Sequence, residues 1–365
     1  MNSLWRRWAP AAVVPMVIAA GVLAAPFQAN AEASLPAKTA EQVLALVANA
    51  PGVALSGTVE QTSDLGLPQL PQYPGKGAAS DPAGTALLDL LTAPHTARVY
   101  LDGASGKRVQ VMDRLAERDL VRNGTDLWLY DSRSNAATHL TLPSGHEGRK
   151  AAGAEMMLPA PDAIAHAVLS ALDPSTDVAL GAKVRVAGRA AYELVLTPRS
   201  TQTLVASVSL AVDGATGLPL DVTVRARGQE QPAFRIAFTS LTLGAPDPAL
   251  FTFTPPAGAT VHQIDTSRHQ GGPGRHGPGS SDTHAKAVAG HPTVTGSGWD
   301  AVVELPGTGM AQMLAAVPLL AQAAQAVPGG RLLSTSLVNA YLADDGRVFI
   351  GSVPLALLQA AAAAG

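Results

Sequence analysis

Apolar and polar residues alternate through much of the first two thirds of the chain. Val208, Leu210 and Val212 alternate with small polar residues, and the same period of two recurs around Val222 and Ile236. Such alternation is typical of antiparallel strands that bury one face and leave the other in water. Asp-Gly and Asn-Gly pairs, which favour tight turns between paired strands, separate several of these segments. The pattern predicts about ten antiparallel strands.

Three segments have helical spacing instead. Thr39 and Gln42 form the pattern of a capping box before an amphipathic run, and two further apolar segments begin at Thr85 and Pro161. Ten strands with three helical segments predict an α+β fold that is mostly antiparallel β. Its large curved sheet must cover its apolar face with those helices or with a ligand.

The strand predicted at residues 126–130 is apolar on both faces, so both of its sides should be covered. Ordinary core packing explains this pattern. Alternatively, one face lines a lipid cavity, and Trp128 and Tyr130 suit a cavity wall because each joins a large apolar body to a polar tip.

Composition narrows the classes of function. The 365 residues carry a formal net charge of −3, which excludes nucleic-acid binding driven by bulk charge. The chain has no cysteine, so it has no disulfide, thiolate nucleophile, lipobox or Cys-ligated metal.

The first residues predict export. Arg6 and Arg7 precede an apolar run, and small residues at Ala29 and Ala31 indicate cleavage after Ala31, with residues 1–31 as the signal peptide. The alternative is an uncleaved membrane anchor, which Pro10 disfavours in a weakly apolar run. We therefore expect an extracytoplasmic protein, either secreted or in the cell envelope.

A glycine-, histidine- and proline-rich stretch at 265–298 has almost no large apolar residue and is predicted to be a flexible linker. It separates a first body at 32–264 from a shorter one at 299–365. Five of the nine histidines lie in or beside it, seven to eight residues apart in glycine-rich chain. Because a metal site needs ligands with orienting partners, we expect no metal there.

The shorter body combines an uncharged, alanine-rich stretch at 309–327 with two predicted strands at 332–341 and 347–353. The stretch is predicted to be a packed or lid helix, because it lacks the basic face of a membrane-surface helix. Asp344-Asp345-Gly346 predicts a hairpin between the strands. A piece this small is marginal alone, so it should pack on the first body or on a partner.

Enzyme motifs are missing from the sequence. It has no G-x-S-x-G, P-loop or strand-linked G-x-G-x-x-G, and His146-Glu147 lacks the second histidine of H-E-x-x-H. We therefore expect neither catalysis nor a cofactor.

Several segments carry a family likeness through their order and spacing over about 230 residues. They are LSGTVEQTSDLGLPQLP, HTARVYLDG, RLAERDLVRNGTDLWLYDS, ATHLTLP, VRVAGRAAYELVLTP, LAVDGATGLPLDV and PDPALFTFTPPAGATV, with GRLLSTSLVNAYLADDGRVFIGSV beyond the linker. Together they resemble the LolA-like proteins of actinobacteria, a family related in fold to the lipoprotein carrier LolA and the sigma-factor regulator RseB.

The resemblance implies an unclosed half β-barrel whose concave apolar face, covered by helices, holds acyl chains of a lipid or lipoprotein. Arg98 is the candidate for the polar latch of the family, in which a strand arginine bonds to the lid; the alternative is that Arg98 is an ordinary solvent-facing strand arginine. Alternation supplies the candidate cavity residues: Val59, Val99, Val111, Leu127, Leu129, Leu194, Leu196, Leu210, Val222, Phe234, Ile236 and Phe238.

Three functions stay open from the sequence. The leading one is a non-enzymatic protein that carries or sequesters an acyl moiety. The second, implied by RseB, is an envelope-stress regulator that docks on a membrane-bound anti-sigma factor through the shorter body. The third is a structural envelope protein with a filled core.

Overall fold

The computed structural model describes residues 35–50, 52–67, 93–103, 106–113, 116–142, 160–170, 174–265, 293–305 and 323–364. Two open β-sheets hold most of them. Neighbouring strands pair antiparallel except at one edge of the larger sheet, where the last strand runs parallel to its neighbour. The mostly antiparallel, strand-rich architecture is therefore confirmed.

The large sheet has twelve strands in the described part of the chain, two more than the alternation predicted. Their order in space is β12-β6-β5-β4-β3-β2-β1-β11-β10-β9-β8-β7, so β12 and β7 are its two edges. The strands are β1 (Leu55–Ser63), β2 (His95–Asp102), β3 (Gly106–Met112), β4 (Glu117–Asn123), β5 (Asp126–Asp131), β6 (Ala136–Thr141), β7 (Thr176–Val186), β8 (Arg189–Pro198), β9 (Val205–Asp213), β10 (Pro219–Ala226), β11 (Phe234–Leu243) and β12 (Thr260–Asp265).

Two helices cover one face of this sheet. Helix α1 (Ala40–Ala48) begins at the predicted capping box, where the Thr39 hydroxyl accepts from the Gln42 amide at 3.3 Å and the Gln42 side chain accepts from the Thr39 amide at 2.9 Å. It packs on β7 and β8, whereas α2 (Pro161–Ser170) packs on β10 and β11. Residues 85–92 of the third predicted helix lie outside the described residues.

The smaller sheet has the order β13-β14-β18-β17-β16-β15 and is backed by a third helix. Its elements are β13 (Thr293–Thr295), β14 (Val302–Leu305), β15 (Gln325–Val327), β16 (Gly330–Ser334), β17 (Asn339–Ala343), β18 (Val348–Gly351) and α3 (Leu355–Ala364). The Ala343–Arg347 hairpin turn forms between β17 and β18 as predicted.

Four details of this body differ from the sequence prediction. Strand β13 lies inside the predicted linker, where three residues are too few to show a period. The predicted strand at 332–341 is two strands, because Thr335 and Val338 close a turn within it. Residues 325–327 of the predicted helix form β15, and its residues 309–322 lie outside the described part. Helix α3 is alanine-rich and lacks a polar stripe, so periodicity did not reveal it.

The smaller sheet packs against the large one through side-chain and backbone hydrogen bonds. The Trp299 indole N–H donates to the Thr176 hydroxyl at 2.8 Å, and the Thr203 hydroxyl donates to the Ser352 carbonyl at 2.9 Å. A third contact joins the Ser336 hydroxyl to the carbonyl of Asp64, at the end of β1. Among the described residues, no helix has the length and apolar character needed to cross a membrane.

Candidate functional site

The helix-covered face of the large sheet brings the twelve predicted cavity residues together in one apolar cluster. Eleven are buried, and Leu129 is half-buried against the others. The strand register explains the assembly, because Leu194, Leu210, Val222 and Ile236 are consecutive cross-strand neighbours on β8, β9, β10 and β11. Cross-strand neighbours share a face, so alternation in each strand produces one continuous apolar surface.

Helices α1 and α2 close this surface from above. Val43 and Val47 of α1 and Ala165 of α2 are fully buried in the same cluster. In the described part of the chain, the protein's own side chains therefore pack the middle of the apolar face.

The apolar face continues beyond the helices to the β12 edge, where it becomes exposed. Leu127, Leu140 and Ile264 are neighbours across β5, β6 and β12. Leu127 is buried, Leu140 is half-buried, and Ile264 is 48% exposed. Half-buried Leu129 lies two residues from Leu127 on the same face. Among the described residues, this edge offers an incoming ligand access to the apolar face without displacing a helix.

Trp128 and Tyr130 lie on the opposite face of the sheet. Trp128 stacks on His139 with ring centroids 4.2 Å apart, and Phe253 packs against both Trp128 and Tyr130. His139 also lies 2.9 Å from an oxygen of Asp126. Strand β5 is thus covered on both sides, as its sequence predicted, but its two aromatic residues do not line the helix-covered face.

Arg98 also lies on the opposite face, because its neighbour Val99 points into the apolar cluster. Its side chain is exposed, and its backbone partners are Thr58 of β1 and Gln110 of β3. The structure therefore does not bring Arg98 together with the twelve apolar residues. Its role as a latch stays a prediction that this placement does not support.

Sequence patterns missed several buried charged clusters, two of which hold the pKa of a carboxylate below its ordinary value. In the first, His95 and Arg118 both contact the carboxylate of Asp113, at 3.2 and 3.1 Å. Burial raises the pKa of Asp113, but the hydrogen bonds from His95 and Arg118 outweigh it and hold that pKa below its ordinary value. The partners come from separate strands, so no local motif marks them.

The second cluster is at the turn between β9 and β10. Arg189 makes two hydrogen bonds to the Asp213 carboxylate, at 2.9 and 2.8 Å, and the Thr216 amide and hydroxyl donate to the same group. Burial opposes ionisation, yet these donors hold the pKa of Asp213 below its ordinary value. Both clusters fix the ends of strands. Within the described residues, no group of His, Asp and Glu is arranged to hold a metal ion.

Comparison with known proteins gave matches among solved structures, whereas no family model and no curated protein matched. The MucA/MucB complex of Pseudomonas aeruginosa matches with 17% identity and a TM-score of 0.42 over 88% of this chain and 96% of that chain. A structure of MucB matches with 19% identity and a TM-score of 0.39, covering 88% and 94%. A LolA superfamily protein from Nitrosomonas europaea matches with 13% identity and a TM-score of 0.24, covering 60% and 99%.

These neighbours fall in the LolA and MucB/RseB group that the sequence resemblance named. At such identities and TM-scores the likeness concerns the fold alone. The function proposed below is therefore argued from contacts within this chain.

Proposed function

We propose that this chain is an exported, non-enzymatic protein that binds an acyl chain of a lipid or lipoprotein on the helix-covered face of its large sheet. One observation carries the proposal: a continuous apolar cluster extends from beneath two helices to Leu140, whose neighbour on the edge strand β12 is the exposed Ile264. An apolar surface that reaches solvent at one end offers an acyl chain both a binding face and a way in.

Burial of methylene groups would supply the binding energy. Each buried CH₂ contributes about 0.8 kcal/mol, so a chain of about ten methylenes supplies roughly 8 kcal/mol before ordering and association costs. Because the centre of the face is packed by its own helices, deep binding requires a helix to move away from the sheet. A ligand that first contacts Leu129 and Leu140 would then replace helix contacts with acyl contacts.

Acyl binding is tested by native mass spectrometry of the protein from its own host and by uptake of a fluorescent fatty acid. Leu129→Gln and Leu140→Gln should lower uptake severalfold, because each places an amide on the apolar face near its open edge. Val261→Gln is the matched control, since Val261 is an exposed apolar residue of β12 on the opposite face of the sheet.

A stoichiometric acyl species in the native spectrum, together with uptake that falls only in the two edge variants, is the expected result. A clean apo mass with no probe uptake would refute acyl binding. If Leu129→Gln and Leu140→Gln lower the melting temperature but leave uptake unchanged, this face is a filled structural core.

A second candidate function is that of a regulator that docks on a membrane-bound anti-sigma factor. It is favoured by the outer strand of the smaller sheet, β13, whose three residues are all exposed and whose central Val294 is 60% exposed. An open strand edge with an exposed apolar side chain is a template for pairing with a partner strand.

Docking is tested with the host's anti-sigma factor by co-purification with the full chain. Val294→Glu should abolish capture while leaving fatty-acid uptake unchanged. Glu304→Gln on the neighbouring strand is the control, because Glu304 pairs with Thr293 inside the sheet. No capture by the native protein, or equal capture by Val294→Glu, would exclude docking at β13.

A further inference from the structure

A polar groove of about 310 Å³ lies on the face of the large sheet opposite Leu194, Leu210 and Val222. It forms where the β7–β8 hairpin, which has a register shift between Leu180 and Lys183, bends so that β7 approaches β11. A bulge of this kind increases the local twist of a strand and lets it fold over its neighbours. Its polar lining includes Arg185, Glu193, Ser209, Asp221, Arg225 and Arg235.

One of the three arginines in the groove is already neutralised. Arg235 donates twice to a carboxylate oxygen of Asp221, at 2.9 and 2.6 Å, and the Thr223 hydroxyl donates to the other oxygen at 2.9 Å. The Asp221 carboxylate is therefore fully engaged by groups of the chain itself. It fixes Arg235 and Thr223 along the floor of the groove.

The other two arginines have no carboxylate partner within the described residues. Arg185 donates to the Gly188 carbonyl at 3.3 Å, and Arg225 donates to the carbonyl of Glu230 at 3.0 Å. A guanidinium group has five N–H donors, so most of the donors on both side chains have no partner in the described part of the chain. Three guanidinium groups and the two carboxylates of Glu193 and Asp221 leave the groove with net positive charge.

The remaining carboxylate, that of Glu193, is directed to the backbone. It accepts a hydrogen bond from the Ala182 amide at 3.2 Å and so holds the bulge of β7 in place. On the floor, the Ser209 hydroxyl makes no hydrogen bond within the described residues, which leaves it available to a ligand.

We propose that this groove binds a phosphate ester, whose phosphate group is held by Arg185 and Arg225. Guanidinium groups match phosphate oxygens with paired, charge-assisted hydrogen bonds. Ser209 on the floor supplies a further donor. The volume is near the lower end of the range of about 300–1,000 Å³ for ligand pockets, which suits a small phosphate ester or a lipid headgroup.

This site is separate from the proposed acyl site. Ser209 lines the groove, whereas its neighbour Leu210 is buried in the apolar cluster on the other face. One lipid molecule cannot reach both faces through the sheet. Phosphate binding and acyl binding can therefore succeed or fail independently.

The test is calorimetric titration of the full chain with glycerol 3-phosphate and with inorganic phosphate, together with co-flotation on phosphatidylglycerol vesicles. The double variant Arg185→Gln/Arg225→Gln should weaken phosphate binding by about tenfold or more, the size expected when charge-assisted hydrogen bonds are lost. Arg199→Gln is the matched control, because this exposed arginine pairs with Asp177 outside the groove. Circular dichroism and melting temperature should match in all three proteins, since the replaced side chains are exposed.

Binding of glycerol 3-phosphate that is lost only in the double variant would support the proposal and identify a soluble phosphate ester as the ligand. Vesicle association lost only in the double variant would support it and identify a lipid headgroup. No binding of either probe at millimolar concentration would overturn the proposal, as would equal binding by the native protein and the double variant.

Discussion

Replacement of Asp213 should destabilise the fold strongly at neutral pH and weakly in acid. This carboxylate is 2% exposed and accepts two hydrogen bonds from Arg189 and two from Thr216. It therefore organises the turn between β9 and β10, two strands of the apolar face. Asp213→Ala removes all four contacts, whereas Asp213→Asn keeps one acceptor oxygen for Thr216 and loses the charge and the second oxygen that accepts from Arg189.

The magnitude follows from what each variant leaves behind. Breaking a buried ion pair on one side costs about 3–5 kcal/mol, because the remaining charge is buried without a partner. The Arg189 side chain is 25% exposed and regains some water, so Asp213→Ala should lie near the lower end, at about 3 kcal/mol. Asp213→Asn should cost about 1–2 kcal/mol, the value of a charge-assisted hydrogen bond beyond a neutral one.

The pH dependence has a defined sign. Hydrogen bonds from Arg189 and Thr216 keep the pKa of Asp213 in the folded state below its ordinary value of 3.8. The stabilisation is therefore complete above that ordinary value and is lost as the pH falls through the folded-state pKa. The difference in unfolding free energy between the native protein and Asp213→Asn should shrink across this acidic range.

Urea unfolding followed by circular dichroism at neutral pH and through the acidic range measures both effects. Asp177→Asn is the control, because Asp177 forms an exposed ion pair with Arg199 and its loss should change stability little. A cost of less than about 1 kcal/mol for Asp213→Ala at neutral pH would refute the assigned role. So would a difference for Asp213→Asn that stays constant with pH.

Two further substitutions test the packing of the sheets. Gly57→Ala should destabilise the protein by about 1–3 kcal/mol, because a Cβ at Gly57 would lie 2.6 Å from the Ser240 carbonyl oxygen; unchanged urea unfolding would contradict this close approach. Trp299→Phe removes the hydrogen bond to Thr176 and should cost about 1 kcal/mol while speeding proteolysis of the smaller sheet; equal cleavage rates would show that this bond does not hold the two sheets together.

Local periodicity explains why most of the apolar site could be predicted. Leu210, Val222 and Ile236 each occupy the buried phase of an alternating strand, and antiparallel pairing places them side by side. The capping box at Thr39 and Gln42 could also be predicted, because both residues lie within one turn of the helix. Such features depend on neighbours in sequence.

Features that depend on distant segments were not predictable in the same way. Phe253 covers Trp128 from a segment more than a hundred residues later, so the sequence of β5 shows that both faces are covered but not by what. The parallel pairing of β12 with β6 has no local pattern either. The polar groove depends on the bulge after Leu180, which bends β7 over the sheet. Alternation of apolar and polar residues does not predict such a bend.

The two helices over the apolar face make different kinds of contact with the sheet. The difference indicates which helix moves when a ligand enters. The residues just before α1 are held by polar contacts, since Lys183 donates to the Leu35 carbonyl at 2.7 Å and Tyr192 donates to the Pro36 carbonyl at 2.8 Å. The capping box then fixes the first turn of α1. Helix α1 is therefore tied to β7 and β8 by directional bonds as well as by burial.

Helix α2 makes only apolar contacts with the sheet among the described residues, through Ala165 and the half-buried Ile164, Val168 and Leu169. Apolar contacts are non-directional, and an acyl chain can replace them at little cost. The amides of α2 should therefore exchange with deuterium faster than those of α1 in the free protein, and a bound acyl chain should slow them. Faster deuterium exchange in α1 than in α2, or exchange in α2 that a bound acyl chain does not slow, would show that α2 is not the moving element. The acyl chain would then have to bind at the β12 edge without displacing either helix.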